Sequence, residues 1–285
     1  MSPGRDLAGA PFGARLQQAV AEQGRIVVGV DPHASLLEAW GLPDSPAGLA
    51  EFSRTVLDAV DGQVAAIKPQ SAFFERHGSR GVAVLEDLLA AARAQGVLSI
   101  LDVKRGDIGS TMSAYAQAHL RPGAPLEADA ITVSPFLGTG SLDPAAELAL
   151  THGKGLFLLA LTSNPDGPQI QHALTGANTP VAQEIARHAE EIGAGRPGEW
   201  GSVGLVVGAT VGDAYRRLGL DRAAPSVPLL SPGFGAQGAG PAQISDVFGE
   251  SAGHVLVSLS RGVLSAGPDP QALRAHVQSL RAQYS

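Results

Sequence analysis

The chain contains no cysteine, which at once excludes disulfides, thiolate metal sites and a cysteine nucleophile. That fits a reducing compartment, and a cytoplasmic location is the expectation. Lysine is almost as scarce. Of 20 basic residues only Lys68, Lys104 and Lys154 are lysine, and the remaining 17 are arginine. A lysine kept where arginine otherwise supplies the charge hints at a site needing a compact, transferable proton. No hydrophobic run reaches membrane-spanning length, and the N-terminal stretch lacks the apolar core of a signal peptide, reading instead as an amphipathic helix at about 12–23. Histidine ligand spacings such as H-x-x-x-H and H-E-x-x-H are missing. A net charge of -7 argues against nucleic-acid or anionic-membrane partners. An anionic small substrate would therefore need a local positive site.

What is present is a sizeable apolar fraction, 44% hydrophobic against 16% charged over 285 residues, enough for a large core. Short Val/Ile/Leu-rich runs recur at 25–31, 63–69, 97–103, 129–133, 155–161, 203–209, 227–231 and 255–260. None alternates cleanly with polar residues, as expected of strands covered on both faces. The segments between them include 47–60, 81–96, 143–153, 179–194 and 269–285, whose apolar residues recur at helical spacing. Eight strand–helix alternations with no linker-like break predict a single (β/α)8 barrel over 1–285. Two connections, 33–47 and 163–179, are longer than a barrel requires, and long loops in compact domains are often functional.

The barrel hypothesis carries its own test, because polar residues at strand ends should meet at one mouth. Asp31 ends the first predicted strand, Lys68 the second, Asp102 and Lys104 the third, Thr162 and Ser163 the fifth, and Arg261 the eighth. Each has a bland reading: Asp31 before a proline caps a turn, Lys68 snorkels, Arg261 closes a surface ion pair. Jointly they build a network of alternating sign. Asp102 and Lys104, two apart, project to the same face, and Asp107 follows in the loop. Opposite charges ~4 Å apart attract by ~4 kcal/mol at an effective dielectric of 20, so each lysine stays protonated beside an acid. A lysine held so can donate to a developing carbanion, while an acid beside it repels a substrate carboxylate. That combination suits decarboxylation.

A phosphate site is expected alongside. The segment 231–240, SPGFGAQGAG, follows the seventh strand and Arg261 the eighth, the usual phosphate position in barrels. Its glycines admit backbone N–H groups to an anion, with Gln237 as a neutral donor and Arg261 as a bidentate cation. The formal dinucleotide fingerprint within it is rejected, because too little chain follows for a nucleotide-binding βαβ half. Oxygen ligands alone would serve Mg2+, but Lys104 between two acids already neutralises part of that charge, and no metal is expected.

These motifs, VGVDPH (28–33), KPQSAFFERHG (68–78), DVKRGDIGSTMSAYA (102–116), LALTSNP (159–165), LLSPGFGAQG (229–238) and SLSRG (258–262), resemble the orotidine 5'-phosphate decarboxylase family in its longer-chain bacterial branch. The resemblance spans nearly the whole chain. It implies conversion of orotidine 5'-phosphate to UMP and CO2, the last step of pyrimidine synthesis, with no cofactor. Carried over by motif, Lys104 is the proton donor to the carbon that loses CO2, and Asp102 lies against the departing carboxylate. Asp31 and Lys68 contact ribose hydroxyls. Asp107 and Thr111 are supplied by the partner in a homodimer with shared sites. Ser163, flanked by Thr162 and Asn164, binds the pyrimidine, while Gln237 and Arg261 hold the phosphate. Ser110 stands where much of the family has asparagine, and the shared motif explains neither Arg105 nor the 163–179 loop. Two other readings stay open. One is a Mg2+-dependent sugar-phosphate decarboxylase or aldolase with the same D-x-K-x-x-D block; the other is a non-catalytic barrel that binds phosphate ligands. A structural ion network at the barrel top is the bland alternative for the triplet itself.

Overall fold

Eight short apolar strands place their side chains alternately inward and outward, and the chain solves the burial of both faces by rolling the sheet up. In the computed structural model, which describes residues 9–193, 195, 198–235 and 238–285, the strands are β1 (Ile26–Val30), β2 (Ala66–Pro69), β3 (Ile100–Arg105), β4 (Ala130–Val133), β5 (Gly155–Leu161), β6 (Val203–Val207), β7 (Leu229–Pro232) and β8 (Val255–Leu259). All neighbours pair in parallel in the order β2-β1-β8-β7-β6-β5-β4-β3. Between β2 and β3 the seam is held by the isolated bridges Ile67↔Ser99 and Gln70↔Asp102. The result is a nearly closed (β/α)8 barrel, as the periodicity predicts.

Outward residues such as Val28, Leu101, Ile131, Leu158, Leu205 and Val257 pack into one continuous core with the surrounding helices. Inward residues Val27, Ala66, Ile100, Ala130, Phe157, Leu230 and Leu256 form a second core inside the barrel. Its floor is closed by the N-terminal helix Phe12–Gln23, matching the predicted 12–23 span, whose Phe12 meets Phe157 edge-on at 6.1 Å. The approach is so close that a Cβ on Gly155 would lie 2.2 Å from the Phe12 ring. Only glycine can begin β5 there.

Two of the longer outer helices start at side-chain caps. Ser45 accepts from Gly48 N–H ahead of the helix Pro46–Val60, and Asp269 accepts from Gln271 and Ala272 N–H ahead of Pro270–Gln283. In both, proline occupies the first turn, where its missing donor costs nothing. The two long loops are partly ordered. The first carries a helix over Ala34–Ala39, and the second a turn of helix at Pro168–Gln171 and an antiparallel bridge Leu174↔Pro180. Among the described residues no helix is long and apolar enough to cross a membrane.

Candidate active site

The strand-terminal polar residues do gather at the C-terminal mouth. Asp102 lies at the centre, buried, and its carboxylate takes four donors. Oδ1 accepts from Lys104 Nζ at 2.6 Å and from the Thr132 hydroxyl at 2.8 Å. Oδ2 accepts from Lys68 Nζ at 3.1 Å and from Gln70 Nε2 at 2.9 Å. Four donors match the roughly four lone-pair sites of an ionised carboxylate. Burial would push the Asp102 carboxyl up, but the charges of Lys68 and Lys104, with the Lys104 and Thr132 hydrogen bonds, hold it well below the usual carboxylate range. Lys68 shows the mirror case. Burial acts to lower it, yet the attraction of Asp102 and Asp31 raises it overall. Both groups stay charged at neutral pH.

Lys104 is reached by a distortion that the two-residue alternation does not foresee. The strand runs on to Arg105, and Lys104 adopts a left-handed φ of 46°, which costs a residue with a Cβ about 1–2 kcal/mol. The β3–β4 register shifts between Leu101 and Arg105. Lys104 N–H donates to Thr132 Oγ1 at 3.0 Å, and beyond it Ser134 N–H donates to the Arg105 carbonyl at 2.7 Å. Its side chain remains 46% exposed, against 10% for Lys68 and for Asp102. The proton-bearing group therefore faces the open mouth.

Asp31, Lys68, Ser258, Ser260 and Arg261 line an adjoining cavity of about 110 Å3 under the glycine-rich segment that begins at Pro232 and Gly233. Asp31 Oδ1 and Ser260 Oγ are buried there without a hydrogen-bond partner. Arg261 opens the short helix Arg261–Leu264 and makes no ion pair among the described residues, so the bland surface-bridge reading does not hold for it. Gln237 lies outside the described residues. Ser163 is exposed at the rim. A Cβ on Gly208, past the end of β6, would sit 3.2 Å from Ser163 N, so that glycine lets the two strand ends converge. Thr162 is turned aside, its N–H and hydroxyl both tied to Gln171 of the long loop.

Two expected members are not brought into the network within one chain. Asp107 Oδ1 accepts from the following Ile108 N–H, and Asp107 makes no hydrogen bond or ion pair to either lysine among the described residues. Thr111 is exposed on the helix Gly109–Leu120. Asp107 is half-buried in the loop after β3, and its only side-chain hydrogen bond among the described residues is the local one to Ile108. In the loops after β3 and β4, Ile108, Phe136 and Leu137 are exposed by 62%, 74% and 54%. Arg105 points to the outside of the barrel, paired with Glu75 at 2.8 Å and lying over the Tyr115 ring. Two contributors escaped the sequence reading, Gln70 and Thr132. Both sit at inward positions by two-residue alternation, Gln70 two beyond Lys68 and Thr132 two beyond Ala130, and that was the available signal. No group of three or more His, Asp or Glu side chains with metal-binding geometry occurs among the described residues.

A parallel barrel that gathers lysines and a buried acid at its C-terminal mouth has the architecture of a (β/α)8-barrel enzyme, with its polar site at the face where such barrels do their chemistry. Comparison with known proteins is specific. The chain belongs to the orotidine 5'-phosphate decarboxylase / HUMPS family, whose model matches residues 24–276, and it is accordingly a decarboxylase, a carbon–carbon lyase. An orotidine 5'-phosphate decarboxylase of Streptomyces coelicolor is 56% identical over 265 residues, covering 93% of each chain. A crystal structure from Streptomyces avermitilis assigned to the same activity is 54% identical with a TM-score of 0.91, covering 96% of this chain and 95% of that one. The Leishmania donovani OMP decarboxylase structure is 29% identical with a TM-score of 0.74, covering 95% and 99%.

Proposed function

We propose that the chain converts orotidine 5'-phosphate to UMP and CO2 in pyrimidine synthesis, with Lys104 as the proton donor. The bond between the pyrimidine C6 and its carboxylate breaks, CO2 departs, and the electron pair stays on C6. A proton from Lys104 Nζ then completes UMP, and the lysine regains its proton through its exposed side. The barrier is very high because the ring delocalises the C6 electron pair poorly, so stabilisation near the upper end of the ~8–23 kcal/mol typical of enzymes is required. A fixed ammonium beside the developing charge supplies part of it. Asp102 lies against the departing carboxylate. Asp31 and Lys68 take the ribose hydroxyls, and the unpartnered Asp31 oxygen supports this, since it awaits a donor. Ser163 meets the pyrimidine. Gln237 and Arg261 hold the phosphate, whose grip can drive loop closure. No metal or organic cofactor is required by this chemistry.

The enzyme acts as a cytoplasmic homodimer in which Asp107 and Thr111 complete the partner's site. Asp107 bonds to neither lysine of its own chain, Thr111 is exposed, and the large apolar side chains Ile108, Phe136 and Leu137 are exposed on the loops after β3 and β4, which supports this, since exposed apolar surface marks interfaces. Nucleic acid and membrane are not partners.

The observation that carries the proposal is the Asp102 carboxylate shared between Lys68 and Lys104 at the mouth. Purified protein mixed with orotidine 5'-phosphate in EDTA should show a fall in ultraviolet absorbance with release of CO2. Absorbance unchanged in EDTA but restored by Mg2+ would move the activity to a metal-dependent relative. Mixing inactive Asp102→Ala and Asp107→Ala proteins should regenerate activity in hybrid dimers, and no recovery despite proven subunit exchange would mean self-contained sites.

A further inference from the structure

Between the paired positions Leu101↔Ile131 and Arg105↔Val133, three residues of β3 face one residue of β4. That one residue is Thr132, 1% exposed and pointing into the barrel. Its inward neighbours are apolar: Ala130 below it on the same strand, with Phe157 and Leu159 on β5. A single hydroxyl in such a wall should be either absent or fully used.

It is fully used, and in a defined sense. The Lys104 N–H brings its own hydrogen to Oγ1 at 3.0 Å, so the hydroxyl proton is free to go to Asp102 Oδ1 at 2.8 Å. The rotor therefore has one orientation. Oδ1 is also the oxygen that receives Lys104 Nζ. One hydroxyl thus ties together the backbone of Lys104 and the carboxylate that holds its side chain. It also stands in for the ladder hydrogen bond that the bulge removes, at the residue whose φ is 46°.

We propose that Thr132 is a positioning residue for the decarboxylation: its hydroxyl locks the plane of the Asp102 carboxylate and the left-handed turn of Lys104, so that Nζ is aimed before substrate arrives. The inference rests on the Asp102–Lys104 pair being the catalytic couple. Valine has the shape of threonine without the hydroxyl. In its place the Lys104 N–H would lose its acceptor, and Asp102 would keep three donors, two of them on Oδ2, leaving the carboxylate free to turn toward Lys68 and Gln70.

The test measures kcat, KM and UMP affinity for Thr132→Val and Thr132→Ser, with Lys104→Ala as control. Thr132→Val should lower kcat by about 10- to 100-fold, the loss expected for one hydrogen bond to a charged group. KM and UMP affinity should stay within about threefold, and Thr132→Ser should return kcat to within about threefold of wild type. A Thr132→Val enzyme with unchanged kcat would overturn the proposal. So would a parallel loss of kcat and UMP affinity that serine does not relieve, because that pattern belongs to a structural role. Should the valine variant fail to fold, Thr132→Ala against Thr132→Ser carries the same comparison. Activity retained by Lys104→Ala would instead refute the catalytic couple itself, a separate failure.

Discussion

The three lysines are divided between two ion networks at opposite ends of the barrel. At the floor, Lys154 Nζ lies 2.8 Å from Glu127 and 4.0 Å from Asp129, with both partners of the closer pair 9% exposed. Arg15 of the N-terminal helix reaches Asp129 at 2.7 Å and the Gly153 carbonyl at 3.0 Å. Glu127 Oε2 accepts from Gly123 N–H, and Asp129 Oδ2 from Ser99 N–H. Every carboxylate oxygen of Glu127 and Asp129 has a donor. At the mouth, by contrast, Asp31 keeps a buried oxygen without a partner, Lys104 is half exposed, and the backbone carrying it is strained. The same few residue types serve both ends. At the floor they are mutually satisfied and fix the helix that plugs the barrel. At the mouth they are left partly unsatisfied, the pattern expected where local rules give way to function. The division follows the general polarity of these barrels, with chemistry at the C-terminal face and stability at the other.

That contrast can be broken at either end. The largest effect should come at the mouth: Lys104→Ala is expected to reduce turnover by more than about 1,000-fold while UMP affinity and thermal stability hold. A mutant with near-normal kcat would remove Lys104 from the mechanism. At the floor, Lys154→Ala should do the reverse. It leaves buried Glu127 with only Gly123 N–H and Arg93, 3.6 Å away, and should cost about 1–3 kcal/mol in denaturant unfolding, with kcat of the folded enzyme unchanged; a loss of activity without loss of stability would dissolve the distinction between the two ends.

An effect no larger, outside both networks, depends on pH. His119, buried on the helix behind β3, is lowered from 6.5 to about 4, first by burial and then by Arg105, with Glu75 opposing. Between those values the unfolded chain binds the proton and the folded one does not, so stability rises with pH across the interval. Acidification from 6.5 to 4 should cost up to about 3 kcal/mol through this group, and His119→Met should flatten the acid side of the stability profile. An unaltered slope would assign it to other groups. The smallest change is expected from the floor pair replaced whole. Glu127→Leu with Lys154→Met should stay within about 1 kcal/mol of wild type, because apolar pairs of similar volume replace buried ion pairs at little cost; a loss as large as that of Lys154→Ala would show the pair to be indispensable as charges.

Much of this is legible in the sequence. Strand placement and the meeting of Asp31, Lys68, Asp102, Lys104 and Arg261 at one mouth followed from apolar periodicity and strand-end position, because a parallel barrel sends every strand's C-terminal end to the same face. Boundaries were less so: β2 begins at Ala66 rather than 63, and β3 runs to Arg105 rather than 103. The helix Gly109–Leu120 buries only Met112, Ala116, His119 and Leu120, too thin a stripe to announce itself. Gln70 and Thr132 were hidden for another reason. Each is an ordinary strand residue until a carboxylate from a neighbouring strand arrives within hydrogen-bond reach.

The linear order of residues was enough to determine the barrel, the family and the identity of the charged groups, since these rest on local periodicity and on motif spacing. It could not decide which oxygen of Asp102 each lysine takes, that Lys104 turns left-handed, or that Thr132 bridges the two. Those are settled by contacts between segments about 30 residues apart, brought together only when the sheet closes and the low-dielectric interior makes each unpaired polar group choose a partner.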